Sequence, residues 1–115
     1  MAEQRVINSL ISDGPEVHGE VGDDLTPVDK DALYGAMVVI NGFKLLDSQF
    51  DVGKKYALID LQVEGKGVHF AWNSQGVAIM RQLKQNQENL PFQATVQEFE
   101  SKKRAGVKYP AFVGV

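Results

Sequence analysis

From Ala36 onward the apolar residues recur mostly with a period of two, and this pattern constrains the fold more than any other feature. Such alternation sends successive side chains to opposite faces of a strand, so that one face is buried while the other meets water. AMVVINGFKLLDSQF, residues 36–50, is an apolar run interrupted at Asn41-Gly42, which reads either as a turn or as a bulge in one long bent strand. DVGKK makes a polar turn, YALIDLQV (56–63) a second strand, and Glu64-Gly65-Lys66-Gly67 a tight turn into VHFAW (68–72).

At Asn73 and Ser74 the period changes from two to three or four. Either side chain can cap a helix whose one side carries Val77, Ile79, Met80 and Leu83 and which ends among KQNQEN before Leu90-Pro91. PFQATVQEF (91–99) is a fourth strand, SKKRAG a turn and VKYPAFVGV (107–115) a fifth. The expected fold is therefore mainly β: three strands, a helix, two strands. That is the order of a five-stranded OB-like barrel with one helix between strands three and four, and a small antiparallel α+β sandwich shares it.

A chain of 115 residues supports one hydrophobic core, and its 11 glycines suit a turn-rich sheet. With no cysteine, disulfides and thiolate metal sites are excluded. No apolar stretch of signal-peptide length precedes Ser12, and no run approaches the roughly 18 residues of a membrane span, so the cytoplasm is the expected compartment.

Charge divides the chain. Residues 1–35 carry eight acidic side chains against Arg5 and Lys30, whereas residues 36–115 carry seven acidic and ten basic ones. Residues 1–34 read as an acidic, largely flexible N-terminal arm and 35–115 as the OB-like domain, because SDGPEVHGEVGDDLTPVD has frequent glycine and proline and little to bury. Within the arm a short strand over Arg5–Ile11 and one helical turn over Asp31–Tyr34 are expected. The arm serves as a solubilising leader, as a competitor for an anionic ligand or a docking segment for a protein partner, or as an oligomer-forming extension.

The segments VVINGF (38–43), YALIDLQ, VHFAWNS and the basic hairpin between PFQATVQEF and KYPAF resemble those of small OB-fold single-stranded-DNA-binding proteins of bacteriophages and mobile elements. The resemblance covers about 80 residues from Gly35 and implies DNA replication or recombination as the setting. Bacterial proteins of the class it resembles commonly carry an acidic C-terminal tail; this sequence ends in apolar VGV and has its acid at the N-terminus.

Candidate ligand residues follow from combining charge for phosphates with aromatic faces for bases. Lys102, Lys103 and Arg104 fall at the tip of the last hairpin, with Lys108, Phe99, Tyr109 and Phe112 beside it. Lys54, Lys55 and Tyr56 repeat the combination in the loop between the first two strands, expected on the same side. Trp72 shares a strand face with Val68 and Phe70 and reads as core or as a stacking platform; Tyr34 fits either role. Lysine at hairpin tips also has a purely structural use, protecting sheet edges.

His18 and His69 stand apart with no carboxylate pair at helical spacing, Asp23-Asp24 lacks the spacing of a calcium loop, and VEGKGV lacks the pattern of a phosphate loop. No catalytic residue, metal or cofactor is expected. The function expected is sequence-tolerant binding of single-stranded DNA, with RNA tolerated and a homo-oligomer compatible; the alternative is an assembly module of a phage or mobile element that binds protein alone.

Overall fold

In the computed structural model, which describes residues 16–49 and 52–114, the chain is mainly β. Its elements run β1 (Glu16–Gly19), β2 (Thr26–Pro27), α1 (Lys30–Leu33), β3 (Met37–Asp47), β4 (Lys55–Val63), β5 (His69–Ser74), α2 (Val77–Gln85), a 3-10 turn (Gln87–Asn89), β6 (Phe92–Glu100) and β7 (Lys108–Val113). The five expected strands are β3 to β7, with α2 between the third and fourth of them. One sheet joins all seven strands in the order β2-β5-β4-β3-β6-β7, and β1 pairs with β3.

Asn41-Gly42 is a bulge. The β3–β4 register shifts between Ile40 and Gly42, so one extra residue stands on β3. Val38 and Ile40 before it and Phe43 and Leu45 after it are all buried, a change from even to odd positions that an unbulged strand would send to opposite faces. The bulge also divides the far edge of β3: Met37–Ile40 pair with β6, and Gly42–Leu45 pair with β1.

Residues 16–34, expected in the flexible arm, are thus part of the fold. β6 leaves the second half of β3 without a partner on that edge, and Glu16–Gly19 supply it. Thr26–Pro27 pair in parallel with β5, and Leu33 of α1 is fully buried. The expected strand at Arg5–Ile11 lies outside the described residues.

The sheet curls without closing. Trp72 on β5 and Phe112 on β7 meet edge to face with ring centroids 6.2 Å apart, although four strand steps would separate those strands by about 19 Å in a flat sheet. Both side chains are 3% exposed, and Phe92 packs edge-on against Phe112 at 5.8 Å. The expected closed five-stranded barrel does not form because both edges are already engaged. β2 lies on β5, where Val28 N–H also donates to Ala71 C=O at 2.9 Å. On β7, Gln82 of α2 donates its amide to Phe112 C=O and accepts from Phe112 N–H, both at 2.8 Å. Alternate residues of a strand face the same edge, so Pro110, which has no N–H to offer, stands next along it.

Helix α2 starts later than expected. Gly76, not Asn73 or Ser74, occupies the N-cap position with no side-chain cap, while Ser74 Oγ accepts from Gly76 N–H at 3.1 Å within the preceding turn. Ile79 and Leu83, one helical turn apart, enter the core. Val77, expected beside them, is 78% exposed because it opens the first turn.

Replacing Gln82 by alanine removes both bonds to Phe112 and uncovers the β7 edge. We expect a stability loss of about 1–3 kcal/mol in urea titration, with Gln82→Glu at least as damaging because a carboxylate cannot donate to the Phe112 carbonyl.

Candidate functional site

The hairpin β6–β7 carries the first candidate site. Phe99 pairs in register with Tyr109, and their rings stack with centroids 6.0 Å apart at 29°, each 37% exposed. Beyond them Ser101 organises the tip: its N–H donates to Val107 C=O at 2.7 Å, and its Oγ accepts from the N–H groups of Lys103 and Arg104. Gly106, at φ +80°, provides the left-handed residue this turn requires. Lys102, Lys103 and Arg104 are exposed and form no ion pair with the described residues. Lys108 approaches Glu98 at 3.7 Å.

The second basic loop lies elsewhere. Lys54 and Lys55 are exposed, Lys55 pairs with Asp47 at 3.1 Å, and Tyr56 is half-buried opposite Leu46. This loop leaves β3 at Asp47, whereas β6 runs from Thr95, opposite Met37, toward the other tip. The two loops therefore depart from opposite ends of β3, a correction to the common side expected for them.

Trp72 and Phe112 are also removed from the candidate interface. Their rings fill the seam between β5 and β7, so neither presents a face to a base. Trp72 emission is accordingly expected to be blue-shifted and insensitive to iodide, and a solvent-exposed spectrum would contradict this burial. Tyr34 turns inward too. Its hydroxyl is buried without a hydrogen-bond partner among the described residues, and burial, followed by the negative charge of Glu98, raises its pKa above the usual tyrosine value. The stability associated with neutral Tyr34 is full below the unfolded pKa, near 10, and is lost as pH rises through the folded pKa. Tyr34→Phe should be neutral or stabilising at pH 7 and should flatten this alkaline loss in urea titrations.

A second cluster escaped the sequence reading. Asp60, 2% exposed, points away from the core formed by its neighbours Ile59 and Leu61. Its Oδ1 accepts from His69 Nδ1 at 2.8 Å and from Asn41 Nδ2 at 3.2 Å, and its Oδ2 accepts from Gly22 N–H at 2.9 Å. Asp60 is buried because the segment between β1 and β2 crosses over it. The signal in the sequence was an ionisable residue at the centre of the apolar YALIDLQV, but its partners come from three other segments.

This cluster lies in an open cleft of about 700 Å³ that is also lined by Val21, Leu25 and Val68 and by Glu20, Asp23 and Asp24. An Asp–His pair can hold an imidazole in one tautomer for proton transfer. The described lining residues include no serine, threonine, cysteine or lysine to act as nucleophile, and no group of three or more potential metal ligands occurs among the described residues. No described helix is long and apolar enough to cross a membrane. No family model, curated protein or solved structure matches the chain.

Asp60→Ala would leave Gly22 N–H, Asn41 and His69 without their common acceptor. A loss of about 3 kcal/mol is expected in urea titration, and a change below about 0.5 kcal/mol would show that the carboxylate does not hold these segments together.

Proposed function

We propose that the protein binds single-stranded DNA, tolerating RNA, without catalysing a reaction, and that it does so through the β6–β7 hairpin of an OB-like but unclosed barrel. The observation carrying this reading is the half-open Phe99–Tyr109 pair at the base of a tip with three cations free of ion pairs among the described residues. Stacking on an exposed ring contributes about 1–3 kcal/mol per base and requires unpaired nucleic acid, while the tip cations supply salt-sensitive attraction to phosphates. Lys54, Lys55 and Tyr56 belong to a separate contact, reached only by a strand that runs along the length of β3. The strand order β3 to β7, with α2 between β5 and β6, supports the OB-like description.

A second reading has its own observation. The outward positions of β6 and β7 from Gln93 to Phe99 and from Tyr109 to Val113 carry no charge, and neighbouring Met37 and Val113 are 41% and 39% exposed. Depletion of charge with exposed apolar side chains suits a protein partner, as in an assembly module.

Fluorescence anisotropy with a labelled oligothymidine of about 30 nucleotides and a matched duplex separates the two. Alanine at Lys102, Lys103 and Arg104 should weaken single-strand binding and reduce the slope of log affinity against log salt by about 2, from roughly 0.7 per lost phosphate contact. Tyr109→Leu, which retains bulk but loses the ring, should cost about 1–3 kcal/mol of binding. Unchanged affinity in both variants, or equal affinity for duplex, favours the protein-partner reading.

A further inference from the structure

The segment joining β1 to β2 crosses the sheet from one edge to the other. β1 lies on the far edge of β3 and β2 on the far edge of β5, so residues 20–25 pass over β3, β4 and β5. They pass on the outer side, because Asp60, which receives Gly22 N–H, faces away from the buried Ile59 and Leu61. Gly42 marks the crossing point: a Cβ there would sit 2.5 Å from both the backbone N and O of Glu20 and 2.6 Å from His18 O. No side chain fits between strap and sheet at that position.

Little holds the strap down. Between the two strands that anchor it, its hydrogen bonds to the sheet among the described residues are Glu20 N–H to Asn41 C=O at 3.1 Å and Gly22 N–H to Asp60 Oδ2 at 2.9 Å. The anchoring strands are four and two residues long. The open cleft of about 700 Å³ is lined by residues 20–25 of the strap together with Asn41, Asp60, Val68 and His69. Glu20, Asp23 and Asp24 are exposed on it, three carboxylates within five residues. On the same outer face, Lys44, Leu58 and Asn73 form the row of side chains toward the Lys54–Lys55 loop, with Tyr56 beyond them.

We propose that residues 20–25 form an acidic lid on the outer face of β3, β4 and β5, which keeps the phosphate backbone of single-stranded nucleic acid off that face until the strap is displaced. This rests on the nucleic-acid reading above. A lid held between its anchors by one backbone–backbone bond and one bond to the Asp60 carboxylate opens locally at lower cost than the fold as a whole, and three carboxylates repel phosphates over a Debye length. The basic hairpin tip lies outside the strap, so it makes the first contact, and the strand then competes with the strap for the face.

The test compares the full-length protein with two variants, using the labelled oligothymidine in anisotropy titrations from about 20 mM salt upward. Glu20→Gln/Asp23→Asn/Asp24→Asn removes the charge and leaves the strap in place; Gly42→Ala forces the strap from its crossing. Both are expected to bind about tenfold or more tightly than the unmodified chain at low salt, the gain of the charge variant fading as salt rises. The charge variant alters only exposed side chains, so it remains informative if Gly42→Ala does not fold. Equal affinity in all three proteins overturns the lid and leaves the hairpin reading standing. Absence of binding in all three at low salt overturns the hairpin reading, and the lid's ligand with it.

Discussion

The bulge at Asn41 is the constraint on which the rest of the molecule depends. One extra residue lets β3 bury Val38 and Ile40 before it and Phe43 and Leu45 after it in the same core. The same residue bends the strand, so that its far edge serves β6 over one half and β1 over the other. Asn41 then works twice more, its carbonyl accepting from Glu20 and its amide reaching Asp60. Gly42 beside it leaves the room in which the acidic strap crosses.

Two sets of interactions replace barrel closure. The core is sealed across the seam by Trp72 and Phe112, whose burial is worth about 1.5–3 kcal/mol per side chain relative to exposure. The backbone edges that would have paired are met separately, by Thr26–Pro27 on β5 and by Gln82 and Pro110 on β7. An edge occupied in this way resists both intramolecular closure and pairing with another chain. The hairpin β6–β7 is then free to extend past the sheet, with its aromatic pair and its cations outside the core.

The acidic and basic parts of the chain lie on one fold. Glu20, Asp23 and Asp24 belong to a strap over the outer sheet face, and Lys102, Lys103 and Arg104 to a tip beyond it. Asp60 joins the strap to the sheet through a carboxylate that also fixes His69 and Asn41. The Asp60–His69 pair thus positions three segments in this fold, the strap, β3 and β5.

By itself the sequence determined the local structure from Met37 onward. Alternating apolar residues specify β3, β4, β5, β6 and β7 within one to three residues, and the change of period after Trp72 specifies that α2 follows, though not its start at Gly76, because side-chain periodicity is a local property of the backbone. The Ser101–Gly106 turn and its cations were legible for the same reason. Tertiary structure decided everything that required two distant segments to meet. It chose a bulge at Asn41 over a turn, drew residues 16–34 into the sheet, turned Trp72 and Phe112 inward and set the two basic loops at opposite ends of β3. The acidic arm looked unable to fold because it buries little of its own; its strands are stabilised by edges that β3 and β5 present, and no pattern within residues 16–34 records those edges.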